Sequence, residues 1–98
     1  MRKHGLRGDR HLGQHILVDP HAVQRIVESA DLGEHDLVLE VGPGPGTLTV
    51  HLAEQAGQVI AVELDERMLA PLHEALSGHD NVRVVQGDIL ELDVAALV

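Results

Sequence analysis

Leu37-Val38-Leu39-Glu40-Val41-Gly42-Pro43-Gly44-Pro45-Gly46-Thr47-Leu48-Thr49 is the stretch on which the fold turns. Its first five residues form a short apolar run interrupted only by Glu40, and the run ends in glycines alternating with prolines. A brief, nearly continuous apolar segment bounded by turn residues reads as a strand buried on both faces, the pattern of parallel sheets. From Thr47 to Ala56 (TLTVHLAEQA) the sequence reads as helix, with Gly57 placed to close it. The stretch therefore encodes strand, glycine loop and helix in succession.

Reading outward extends the alternation. On the amino-terminal side, Asp19-Pro20 supplies an N-cap with proline at the first helical position. Val23, Ile26, Val27 and Ala30 then recur at helical spacing up to Gly33. On the other side, Gln58 to Val62 reads as a second strand and Asn81 to Gln86 as a third. Between them Asp65 is placed to cap a helix running through Met68, Leu69, Leu72, Ala75 and Leu76 to Gly78. Pro71 inside that helix predicts a kink or a late start, because proline lacks an amide donor and crowds the preceding turn. Asp93 is placed to open a last short turn or helix. A helix followed by βαβαβ with right-handed crossovers predicts an α/β protein. The expected architecture is half of a Rossmann-like doubly wound sheet, with strand order 3-2-1 and a preceding helix.

Ninety-eight residues suit one domain, and charge divides it. Residues 1–13 hold Arg2, Lys3, Arg7 and Arg10 against Asp9, a balance of +3, while residues 14–98 carry −12. This predicts a basic, flexible tail over 1–13 ahead of a folded body over 14–98. An acidic body repels a phosphate backbone, so only the tail is suited to a weak RNA contact. No apolar run approaches the roughly 20 residues of a membrane span, and no hydrophobic stretch at the amino terminus reads as a secretory signal. Cysteine is absent, which removes disulfides and thiolate metal sites, and the expected compartment is the cytoplasm. The eight histidines include His11 and His15 at helical spacing, but no third ligand joins them in a convincing pattern, so no metal site is expected. Phe, Trp and Tyr are all absent, leaving a core of Leu, Val, Ile, Ala and two Met. Aromatic rings ordinarily dominate core burial, so this composition points to a simplified or engineered alphabet.

The glycine loop carries the chemistry. Glycine lets a ligand approach the main chain, and the helix starting near Thr47 points free amides toward the same place. A dinucleotide fingerprint would want its third glycine at position 47. Here that residue is Thr47 and the glycine falls early, at Gly46. The spacing GxGxG, preceded by Glu40, suits S-adenosylmethionine or S-adenosylhomocysteine better than a pyrophosphate, since a carboxylate belongs beside an ammonium and a sulfonium. Glu63 ends the second strand about twenty residues on, where an acid accepts from ribose hydroxyls. Asp88 ends the third strand, with Ile89 after it. The alternative for each is a solvated carboxylate at a strand end, or a Gly/Pro-rich turn without a ligand.

With these residues in hand, the chain resembles the ribosomal-RNA adenine N6,N6-dimethyltransferases and the related erythromycin-resistance methylases. Leu12-Gly13-Gln14-His15-Ile16-Leu17 is similar to the family's amino-terminal cofactor motif, and Glu40 through Thr49 to its glycine motif. Glu63-Leu64-Asp65 resembles the ribose motif, and Gly87-Asp88-Ile89-Leu90 the adenine motif. The resemblance covers residues 10–92 and implies a cofactor site made of Gln14, His15, Leu17, Glu40, Gly42, Pro43, Gly44, Gly46, Glu63, Leu64, Asp88 and Ile89. His15 and Leu17 would contact the cofactor from the amino-terminal segment, and the glycine loop would lie against its methionine portion. Glu63 would hold the ribose, Leu64 would cover one face of the adenine, and Asp88 would accept from the adenine amino group. Ile16 stands where the family usually has Phe.

The resemblance also implies what is missing. The family's fourth strand ends in an N-[LI]-P-[YF] motif that grips the target adenine, and a carboxy-terminal domain binds RNA. This chain has neither, and no ring on which to stack a base. The reading is therefore a truncated S-adenosylmethionine-binding domain over 14–98, part of an RNA adenine dimethyltransferase and catalytically inactive alone. Two alternatives stand beside it: a minimal or split methyltransferase completed by another chain, and an aromatic-free scaffold without a ligand. Without a fourth strand, Leu37–Val41 is expected to be an unpaired apolar edge, and such edges recruit another chain, which predicts a homodimer joined through this edge or through the sheet faces left bare by the missing helices.

Overall fold

The computed structural model describes residues 2–7, 25 and 28–97. In chain order its strands are β1 (Arg2–Arg7), β2 (Asp36–Val41), β3 (Gln58–Glu63) and β4 (Val82–Gln86). Residues 28–30 end a helix ahead of β2, the rest of the expected preceding helix lying largely outside the described residues, and the helices that follow are α1 (Thr47–Gln55), α2 (Leu69–Ala75) and the short α3 (Val94–Leu97). The sheet runs β1-β2-β3-β4 and every pairing is parallel. Val41 lies opposite Val62, and Glu63 opposite Gln86, so the carboxyl ends of β2, β3 and β4 are flush along one rim.

Alternation along the strands divides the apolar residues between two faces. Val38 and Val59 pack with Leu52, Ala53 and Ala56 of the α1 segment, and Leu32, Leu48 and Val82 close the margins of this cluster. Leu37, Ile60 and Val62 point the other way, beneath Leu39, Val85, Ile89, Leu92 and Leu97. Burial on both faces explains why the central strands are near-continuous apolar runs rather than alternating ones. In α1 the buried positions are Thr49, Leu52, Ala53 and the capping Ala56, spaced as one stripe of a helix. The helix stops where Asn81 Nδ2 donates to the carbonyls of Ala53 (2.8 Å) and Ala56 (3.1 Å), two acceptors at its carboxyl end. Gly57 then turns the chain, its amide on the Asp36 carbonyl at 3.0 Å. A Cβ there would lie 2.0 Å from the Glu34 carbonyl oxygen, a position open only to glycine.

Pro71 resolves as a late start. Asp65 caps a 3-10 turn over Glu66–Met68, accepting from the Arg67 amide at 3.0 Å, and the α-helix begins only at Leu69. Pro71 thus sits in the first turn of α2, where its missing amide would have had no intrahelical partner.

Two expectations are corrected at the amino-terminal edge. Arg2–Arg7, expected as part of a flexible tail, pairs with Asp36–Val41 along its whole length, from Arg2 opposite Asp36 to Arg7 opposite Val41. Among the described residues the sheet has four strands rather than three, and Leu37–Val41 is not an unpaired edge. The expected homodimer seam through that edge is already filled by the chain's own residues. The physical reason is that an edge strand needs hydrogen-bonding groups on one side only. It can therefore be built from charged residues, as the exposed Lys3 illustrates, without the apolar pattern that betrays a central strand.

Candidate functional site

The rim formed by the three strand ends carries the glycine loop, Leu64-Asp65 and Gly87-Asp88 side by side, because parallel strands in register deliver their following loops to one edge. Leaving β2, the Gly42 amide donates to the Val62 carbonyl at 2.9 Å, and Gly46 closes a turn onto the Pro43 carbonyl at 3.0 Å. Gly42, Gly44 and Gly46 have φ of 76°, 57° and 89°. At Gly46 the reason is tangible. It is the N-cap of α1, and a Cβ there would meet Leu72 Cδ1 of α2 at 2.9 Å. Gly46 has no side chain with which to cap α1 and the first turn holds no acid, so the amino end faces the rim with its partial positive charge uncompensated by the helix itself.

Glu63 links the three loops. Its side chain is almost fully buried, at 6% exposure. Oε1 accepts from the Gly44 amide at 3.0 Å and Oε2 from the Asp65 amide at 2.9 Å. Its main-chain carbonyl accepts from the Gly87 amide at 2.9 Å. A carboxylate has about four lone-pair sites, so two amides leave acceptor capacity for hydroxyls.

Glu40 lies deeper, one residue before the end of β2, and accepts a hydrogen bond from the Thr49 hydroxyl in the first turn of α1. Burial pushes its carboxyl from an ordinary 4.5 up to about 7, the Thr49 bond working against the shift and the nearby Glu63 charge adding to it. Thr49 was not singled out from sequence. The available signal was the stripe Thr49, Leu52, Ala53, Ala56, which places a hydroxyl on the buried face of a helix, where it needs a partner.

The remaining expected residues sort by position. Leu64 is 62% exposed at the rim, with its carbonyl held by Gln86 Nε2 at 3.0 Å. Asp88 is half-buried, and its Oδ1 accepts from the Leu90 amide at 2.9 Å. Ile89 instead packs on the cluster of Leu37, Ile60 and Val62. Pro43 is buried within the loop. Gln14, His15 and Leu17 lie outside the described residues. Among the described residues there is no cluster of three metal-ligating side chains, and no helix is long and apolar enough to cross a membrane.

Comparison with known proteins matches this geometry to sequence. Residues 5–98 match the family described as ribosomal RNA adenine dimethylase. A protein of Methanopyrus kandleri named probable ribosomal RNA small subunit methyltransferase A is 51% identical over 92 residues, which is 94% of this chain and 33% of that protein. The ribosomal RNA small subunit methyltransferase A of Lactiplantibacillus plantarum is 46% identical over all 98 residues, 33% of its length. Among solved structures, the 23S rRNA methyltransferase ErmE is 45% identical with a TM-score of 0.73, covering 79% of this chain and 32% of that one. A dimethyladenosine transferase from Plasmodium falciparum also reaches 0.73 at 33% identity, covering 79% of this chain and 29% of its own. The chain spans about a third of the length of the curated relatives it matches.

Proposed function

Because the chain belongs to the ribosomal RNA adenine dimethylase family, we propose that it is the S-adenosylmethionine-holding portion of an RNA adenine methyltransferase. The observation that carries this reading is the rim itself, where Glu63 joins the glycine loop to the ends of β3 and β4. The residues present fit such a ligand. Glu63 offers the ribose diol a desolvated carboxylate, Asp88 is an acceptor for the adenine amino group, and exposed Leu64 offers an apolar cover for the ring. The glycine loop and the amino end of α1 receive the amino-acid carboxylate, and Glu40 answers the ammonium and sulfonium charge. S-adenosylmethionine, when bound, supplies an activated methyl group.

Transfer is a different matter. A base drawn out of its stack is gripped by stacking partners, and these 98 residues contain no Phe, Tyr or Trp ring to serve as one. The chain alone therefore binds cofactor without methylating RNA. Calorimetric titration with S-adenosylmethionine and S-adenosylhomocysteine tests the first half, and labelled-methyl transfer to RNA the second. Saturable binding without transfer is the expected result. Absence of binding by the folded chain would leave only a scaffold. Glu63→Ala should weaken binding by roughly 1.5–3 kcal/mol, the range for hydrogen bonds to a charged group.

A further inference from the structure

The cofactor reading gives Glu63 one task, accepting the nucleoside hydroxyls, yet its surroundings describe another. Gly42 is tied to β3 through the Val62 carbonyl, and Gly46 closes its own turn on Pro43. The amide of Gly44, at the crest between them, is held from across the rim by Glu63 Oε1 at 3.0 Å. The opposite oxygen is fixed by the Asp65 amide at 2.9 Å, so the carboxylate cannot swing away without releasing one of the two. Both bonds are charge-assisted and partly shielded from water, which strengthens them.

We propose that Glu63 is a positioning residue for the glycine loop, so that the loop receiving the amino-acid end of the cofactor is set by the carboxylate that receives its nucleoside. This rests on the cofactor reading and extends it: the two ends of the ligand are energetically coupled through one side chain. A carboxylate is needed because both of its oxygens accept. Glutamine offers one acceptor and one NH2 group, so either the Gly44 or the Asp65 amide would face a donor. Aspartate is one methylene shorter and cannot span the same two amides.

Two ligands separate positioning from simple ribose binding. S-adenosylhomocysteine carries the amino-acid end, whereas 5′-methylthioadenosine carries the same nucleoside without it. Were Glu63 only a ribose acceptor, Glu63→Gln would weaken both by the same factor. With the loop also set by Glu63, the advantage of S-adenosylhomocysteine over methylthioadenosine should shrink at least fivefold in the variant. An unchanged ratio would overturn the proposal.

Amide spectra of the ligand-free 98-residue chain give a second reading. In Glu63→Gln the Gly44 resonance should move, while Gly87, bonded to the main-chain carbonyl of residue 63, should stay as the internal reference. Equal behaviour of the two would count against the assignment. If the variant does not fold, hydrogen exchange in the unaltered chain decides the matter. The Gly44 amide should exchange at least tenfold more slowly than an open-chain glycine, and exchange at the open-chain rate would refute the tie. Failure of both ligands to bind the unaltered chain would reject the cofactor reading instead, and the spectral and exchange measurements would still judge the loop.

Discussion

Glu40 and Glu63 are two carboxylates on one face of the sheet, at the ends of the adjacent strands β2 and β3, with different surroundings. Glu63 is met by two backbone amides. Glu40 is met by a hydroxyl and an apolar interior, and burial raises its carboxyl to about 7. The sign of the linkage follows. Below 4.5 the folded and unfolded chains both hold the Glu40 proton, and between 4.5 and about 7 only the folded chain does. Stability attributable to this group is therefore full at low pH and lost as pH rises through that window, a change on the order of 3 kcal/mol. Glu40→Gln removes the titration. The urea midpoints of variant and parent should converge near pH 4.5 and separate toward pH 8, with the variant the more stable. A gap that stays constant across this range would refute the assignment. Thr49→Val should cost about 1–2 kcal/mol near neutral pH, because it leaves the Glu40 carboxyl buried without its hydroxyl partner.

At the scale of elements, the joint between α1 and β3 concentrates several constraints in a few residues. Asn81 reaches from the start of β4 to two carbonyls at the end of α1, so Asn81→Ala should destabilise by about 1–2 kcal/mol, read from denaturant unfolding. Asn81→Asp should cost more, since a carboxylate presents acceptors to acceptors. Gly57→Ala places a methyl against the Glu34 carbonyl and should cost about 2–3 kcal/mol, whereas Gly78→Ala, with open space around it, should be far milder. A ratio near unity between those two substitutions would mean the backbone at Gly57 yields easily. These elements were legible because β2, β3 and β4 are apolar runs between turn residues, and α1 has a stripe with Gly57 beyond it. The strand ends with their acids were legible for the same reason, since a strand's last residue fixes where its side chain and following loop emerge. The tie from Glu63 to Gly44 and the Thr49–Glu40 bond were not. They depend on side-chain direction across nineteen and nine positions, which no local pattern encodes.

For the whole molecule, the unforeseen feature is β1. RKHGLR has one apolar residue and no strand-like alternation, so propensity argues against it. What places it is tertiary: β2 is buried on both faces and offers a row of main-chain donors and acceptors that must pair with something. Arg2–Arg7 meets that need, and its charges then suit it to being the outermost strand among the described residues, where apolar residues would invite further pairing. The arrangement carries a prediction about association. Deleting residues 1–7 would strip the cover from Leu37–Val41 and leave an apolar edge open to another chain. By size-exclusion chromatography with light scattering, the shortened chain should shift toward larger species as concentration rises, to a greater extent than the full 98 residues under the same conditions. Exchanging Arg2, Lys3 and Arg7 for Thr should preserve the pairing while removing the charge, and so make the outer edge of β1 itself adhesive. If the deletion behaves as the parent does at every concentration, the main-chain pairing of β1 contributes nothing to keeping the sheet closed. The repulsion of the acidic body would then account for the absence of association.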